Sequence, residues 1–136
     1  MAEFTDDLEK KILDYVFAEQ AYAQVTTHFL CLLTAVTNDA NDLKSQLTEP
    51  STGGYAAKAI AFDAATGTSP TTSDNTSAIT FTNTGATAWT VTGIAITDGS
   101  TASSNVMCYD NDMTDATVNQ NEKIQFAAGD IDITLD

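Results

Sequence analysis

Basic residues are scarce in this sequence of 136 residues, and arginine is absent. Five lysines stand against 19 aspartates and glutamates, which gives a formal net charge of −14 at pH 7. Affinity for nucleic-acid phosphates and for anionic membrane surfaces comes from clustered lysine and arginine. We therefore expect neither nucleic acid nor a membrane among the partners of this chain.

Metal-ligating residues are also few. The single histidine, His28, and the cysteines Cys31 and Cys108 form no Cys-x-x-Cys motif, so one chain cannot assemble the usual zinc sites. Both cysteines lie in apolar, strand-like segments and are predicted to be buried free thiols. A Cys31–Cys108 disulfide is the alternative, which the sequence leaves open.

An acidic segment around residues 109–115 is the weak metal candidate. Asp110, Asp112 and Asp115 place carboxylates close together, and calcium takes six to eight oxygen ligands. The EF-hand pattern fails, however, because the turn glycine and the closing glutamate are both missing. We interpret the segment as a solvated acidic loop and expect no cofactor, with calcium as the one alternative.

Neither a membrane span nor catalytic machinery is evident. No stretch approaches the roughly 20 apolar residues of a membrane helix, and the first residues lack the basic start and apolar run of a secretory signal. No serine is flanked by nucleophile-elbow glycines. The aspartates of residues 130–136 alternate with apolar residues, as on a flat strand face. We therefore expect no enzymatic activity and name no catalytic residue.

The chain is predicted to form one domain, residues 1–136, with a helix in residues 1–22 and a β-sandwich in residues 23–136. Residues 4–20 carry apolar side chains at helical spacing and begin with Asp6 and Glu9, which fit a capping box. The apolar side chains either pack on the protein's own sheet or dock on a neighbour. The docking candidates are Phe4, Leu8, Ile12, Tyr15 and, beyond the helix, Tyr55.

Strand signals fill the rest of the sequence. Seven short strands, in 25–36, 55–62, 77–82, 87–97, 105–109, 122–126 and 131–135, predict a mainly β fold, an antiparallel sandwich with long loops at 37–54 and 63–76. The strand in 25–36 is apolar on both faces, which indicates a central strand, and the helix is expected to cover one face. Gly53-Gly54 predicts a tight turn, and Gly93 a bulge or a close backbone approach.

The order of these features resembles a family of small virion proteins of tailed phages, the tail-fibre-like and head-decoration proteins. Its most specific pieces here are Gly54-Tyr55-Ala56 and the ending Phe126 to Asp136, and the likeness covers nearly the whole chain. Both pieces are structural motifs. The resemblance therefore implies fold and context and carries no catalytic residue.

The resemblance implies a non-enzymatic structural protein on the virion exterior, assembled in the host cytoplasm. The first expectation is a capsid decoration or cement protein that binds the major capsid protein or neighbouring virion proteins as a homo-oligomer, such as a trimer. The alternative is a neck, tail or fibre module that binds a host surface glycan or a neighbouring tail protein. The helix and the loop 37–54 are the expected contact regions.

Overall fold

The structure is a computed structural model that describes residues 2–135. These residues form one α-helix, α1 (Asp6–Phe17), a short 3-10 turn (Lys44–Gln46) and eleven strands. The strands are β1 (Ala2–Phe4), β2 (His28–Leu33), β3 (Lys58–Ile60), β4 (Thr71–Asp74), β5 (Ile79–Thr82), β6 (Trp89–Val91), β7 (Gly93–Thr97), β8 (Val106–Asp110), β9 (Ala116–Val118), β10 (Lys123–Phe126) and β11 (Asp132–Leu135). Asp136, the last acidic residue of the predicted alternation, lies outside the described residues.

All strand pairs are antiparallel. One sheet has five strands in the order β1-β8-β7-β2-β3, and three two-stranded ladders pair β10 with β5, β11 with β4 and β6 with β9. The predicted fold class, mainly β and antiparallel with an N-terminal helix, is confirmed.

Several predicted boundaries are wrong. The helix is shorter than residues 1–22, because residues 2–4 pair with β8 as an edge strand. The segment predicted as a loop, 63–76, contains β4, whose sequence Thr-Thr-Ser-Asp has no apolar alternation and which is held in place by β11. The region 87–97 is two strands, because β6 and β7 pair with different partners.

One main core is shared by the large sheet and the ladders. Phe81 of β5 and Val91 of β6 are fully buried there against Leu30 and Leu32 of β2. Burying side chains of this size contributes about 1.5–3 kcal/mol each. The buried members are Leu30, Leu32, Ile60, Ile79, Phe81, Trp89, Val91, Ile96, Cys108, Val118 and Ile131.

Strand β2 is central, as predicted, and both of its faces are covered. Its second face belongs to a smaller cluster in which Cys31 and Leu33 pack with residues of β7 and β8. The expectation that the helix covers one face is wrong, because no residue of α1 is buried. Leu47 and Ala57, from the long connection between β2 and β3, pack against this cluster instead.

Both cysteines are free and buried, so the disulfide alternative is wrong. Cys31 belongs to the smaller cluster and Cys108 to the main core. Strand β7 separates their two strands. Burial raises the pKa of each thiol to about 12.

Glycine is required at two close approaches of the backbone. A Cβ at Gly93 would lie 2.4 Å from the Asp110 carbonyl oxygen, so the predicted close approach is present. Gly53 has a φ of +71°, and a Cβ there would lie 2.1 Å from the Asn83 Oδ1 atom. The predicted tight turn at Gly53-Gly54 is therefore confirmed, and it docks against the turn that follows β5.

Two buried asparagines flank β5 and join the ladders. Asn83 is fully buried; its amide donates to the carbonyls of Thr87 and Val118, at 2.8 and 2.9 Å, and its oxygen accepts from the Gly85 N–H at 3.0 Å. Asn75 makes the equivalent set of bonds at the other end of β5, to Ser77, Ala127 and Ile131. Each side chain thus satisfies backbone groups that no neighbouring strand reaches.

We predict that Asn83→Ala lowers the free energy of unfolding by about 3 kcal/mol, because two buried carbonyls lose their donor. The measurement is urea unfolding followed by the fluorescence of Trp89, the one tryptophan of the chain. Asn38→Ala is the matched control: Asn38 is exposed and accepts a single bond from the Ala40 N–H. Equal losses in the two variants would contradict the role assigned to Asn83.

Alkaline pH is predicted to destabilise the fold. The thiols of Cys31 and Cys108 have a raised pKa in the folded state, about 12, against about 8.5 in the unfolded chain. Their contribution is therefore intact below pH ~8.5 and is lost as pH rises towards 12, by roughly 2 kcal/mol per thiol at pH 10. Urea midpoints from pH 7.5 to 10 measure this loss, and the double variant Cys31→Ala with Cys108→Ala should show a flatter profile.

Candidate functional site

The start of α1 is tied to the large sheet through Thr5. This residue is fully buried; its hydroxyl donates to the Val106 carbonyl at 2.5 Å, and its N–H donates to the Met107 carbonyl at 3.1 Å. Thr5 occupies the N-cap position but makes no side-chain cap bond. The helix therefore starts from a fixed point on β8.

The free N–H groups of the first helical turn are satisfied by the loop that follows β2. The Asp6 N–H donates to the Asp39 carbonyl, and the Asp7 N–H donates to the Asp42 side chain, both at 3.1 Å. The predicted capping box of Asp6 and Glu9 is wrong, because this loop supplies the acceptors. Acidic side chains in the first turn still favour the helix by interacting with its dipole.

Ion pairs occupy the more covered side of α1. Lys11 pairs with Asp7 at 2.5 Å, and both side chains are less than one third exposed. Lys10 pairs with Asp14 one step around the helix, where the lysine is largely exposed. Pairs four residues apart on a helix stabilise it by a few tenths of a kcal/mol each.

The opposite side of α1 is apolar and faces solvent. Leu13, Val16 and Phe17 are 56%, 57% and 78% exposed, and Ile12 is 39% exposed. We call these four residues the apolar helix face. Because residues three and four positions apart lie on the same side of a helix, the four side chains form one stripe over two turns. Contiguous exposed apolar surface of this kind marks an interaction site. The helix thus has its covered ion pair, Asp7 with Lys11, on one side and its apolar side chains in solvent on the other.

The predicted docking residues divide into two groups. Ile12 and Tyr15 are exposed, and Tyr15 flanks the apolar helix face. Phe4 lies on β1, and both Phe4 and Leu8 are half-buried where the helix meets the sheet. The structure thus places Phe4 and Leu8 around the N-terminal end of the helix.

Sequence reasoning did not select Leu13, Val16 or Phe17 as docking residues. The apolar residues of α1 cover more than half of its circumference, so their spacing does not show which side meets the sheet. The available signal was the pair Asp7 and Lys11, which marks the covered side of the helix. This signal is informative only once the ion pair is known to lie on the covered side of the helix, which the sequence does not show.

Tyr55, the remaining docking candidate, is engaged inside the protein. Its ring stacks on Phe81 and meets Trp89 edge to face, with ring centroids 5.9 and 5.8 Å apart. Its hydroxyl donates to Glu49 at 2.6 Å and accepts from the Leu32 N–H at 2.9 Å. Burial raises the pKa of this phenol. A docking role for Tyr55 stays a prediction.

The acidic candidates lie at the end of β8 and in the loop after it. Asp110 pairs with Ile94 in the large sheet, and its carboxylate accepts from the Asp112 N–H at 2.8 Å. Within residues 2–135, no three His, Cys, Asp or Glu side chains form a group that could hold a metal ion, and Asp115 is exposed. No helix in this part of the chain is long and apolar enough to span a membrane.

The molecule is a small antiparallel β fold with one helix whose apolar side faces solvent. The chain belongs to the Gp80 family, described as podophage GP4 fiber I protein gp80, which matches residues 3–134. The resemblance to tailed-phage virion proteins is thereby confirmed, and the protein is a phage structural protein of a fibre-type family. No curated protein matches the chain.

We predict that Thr5→Val lowers the free energy of unfolding by about 1–2 kcal/mol, because the substitution keeps the shape of the side chain and removes its bond to the Val106 carbonyl. Amide hydrogen exchange in α1 should accelerate as the helix loses its fixed start. Thr82→Val makes the same change at an exposed strand position and should cost nothing measurable. Unchanged exchange in α1 would contradict the anchoring role of Thr5.

Proposed function

We propose that the protein is a structural component of the outer surface of a phage particle, of the fibre type, and that the apolar helix face is its assembly surface. The observation that carries this proposal is the orientation of α1. Leu13, Val16 and Phe17 are more than half exposed, while the side chains of Lys11 and Asp7 are less than one third exposed. The role is structural rather than catalytic.

The fibre assignment is preferred to capsid decoration, which the sequence favoured first. The family's description as a fiber protein supports the fibre assignment. The charge of −14 suits either position, because an acidic exterior keeps displayed copies soluble and repels DNA and anionic cell envelopes. Copy number in the particle separates the two.

Contact with virion proteins is preferred to glycan binding. Stacking on a sugar needs an aromatic face open to solvent. Trp89 and Phe81 are buried in the main core, and Tyr55 stacks on Phe81. The exposed aromatic rings of α1, Tyr15 and Phe17, lie instead beside aliphatic side chains, as at a protein–protein contact.

The first test is the abundance of this chain in purified particles, measured by mass spectrometry against the major capsid protein. A fibre component should be present in a few copies, in a multiple set by tail symmetry. Abundance near that of the capsid protein would instead identify a decoration protein. Absence of the chain from particles would overturn both assignments.

A second test uses matched variants supplied during particle assembly. We predict that Leu13→Ser with Phe17→Ser leaves the fold intact and strongly reduces incorporation into particles. The control, Leu135→Ser with Val36→Ser, changes two side chains outside the helix whose exposures, 56% and 76%, match the 56% and 78% of Leu13 and Phe17. Equal incorporation of both double variants would contradict the assembly role of α1.

A further inference from the structure

We propose that the apolar helix face is covered by the same face of a second copy of this chain, in an antiparallel pair of α1 helices around a two-fold axis. This proposal rests on the assembly role proposed above for α1 and identifies the molecule that covers the apolar helix face. It uses the order of apolar and charged residues along the helix.

The face is self-complementary under a two-fold rotation. In a two-fold interface residue i of one copy meets residue j of the other, and j meets i. With the axis between Asp14 and Tyr15, Ile12 lies opposite the second copy's Phe17, and Leu13 lies opposite its Val16. A small and a large side chain then meet at each end of the stripe, which suits interlocking packing.

The charges beside the face favour the antiparallel direction. Glu9 lies between Val16 and Leu13 around the helix, so a parallel pair or bundle would bring the Glu9 carboxylates together along with those of Asp6. In the antiparallel pair the two Glu9 residues lie at opposite ends of the contact. The two Glu9 residues are then about 16 Å apart along the axis, at 1.5 Å per residue, which exceeds the Debye length of about 8 Å at physiological salt.

The available area agrees with a reversible dimer. The apolar helix face and the flanking Tyr15 expose roughly 500 Å² of side-chain surface per chain, given that large aromatic side chains offer about 150–250 Å². A pair that covered all of this surface would bury about 1,000 Å² in total, which is in the range of weak, reversible interfaces. We therefore expect association in the micromolar range in solution, strengthened on a particle where copies are held close together.

Salt dependence distinguishes this occupant from a cationic partner. Two chains of charge −14 repel each other, so salt should tighten a contact formed by apolar side chains. A basic partner would be attracted by the acidic chain and released by salt.

The experiment is sedimentation equilibrium of the full chain at 0.05 and 0.5 M NaCl (~0.5 M brings the Debye length near 4 Å). We expect a monomer–dimer equilibrium that tightens at least threefold in the higher salt. Leu13→Ser with Phe17→Ser should be monomeric, and Leu135→Ser with Val36→Ser should dimerise as the unaltered chain does. A monomer under all conditions, a trimer, or a dimer insensitive to the helix substitutions would each overturn the proposal.

Direction is tested by oxidative cross-linking. In the antiparallel pair, a mixture of Leu13→Cys and Val16→Cys chains should cross-link faster than either variant alone, while a parallel pair would favour each variant alone and overturn the proposal. The native cysteines are buried and provide the background rate. Particles that incorporate a strictly monomeric chain would overturn the pairing and leave the proposed virion role standing.

Discussion

Hydrogen bonds from two buried asparagine side chains hold together a layer whose strands are too short to do so themselves. Strands β6 and β9 have three residues each, and β5 and β10 have four. Asn75 and Asn83 stand at the two ends of β5 and bind backbone groups of the turns and strands around it. Their bonds fix how the ladders meet, so that Phe81 and its neighbours form one core with the large sheet. The turn at Gly53 packs against the same Asn83 side chain, so closely that a Cβ at Gly53 would collide with it.

The anchoring of α1 at its N-terminal end fixes the helix with its apolar side in solvent. Thr5 is held on β8, and Asp39 and Asp42 satisfy the first turn from the neighbouring loop. Because the helix is secured at its N-terminal end, its stability does not depend on burying its apolar side. That side stays in solvent, and Leu47 and Ala57, rather than the helix, pack against the smaller cluster around Cys31 and Leu33.

Much of the fold follows from local patterns. The apolar strands β2, β5, β7, β8 and β10 contain the alternation or the continuous apolar run that predicts them, and Gly93 predicts the close approach that the structure shows. Strand β4 has no such pattern, since Thr71–Asp74 is polar throughout and becomes a strand because β11 offers it backbone partners. Strand β1 has three residues, too few to show a period.

For the site, local patterns alone predict an amphipathic helix with an acidic first turn before a β-rich, strongly acidic chain, and the order of the motifs indicates a phage virion protein. The spacing of the apolar residues could not determine which side of the helix faces outwards, because these residues cover more than half of its circumference. Tertiary structure decided that point. The position of Thr5 on β8 sets the rotation of the helix, and this rotation turns Asp7 and Lys11 inwards and leaves Leu13, Val16 and Phe17 in solvent.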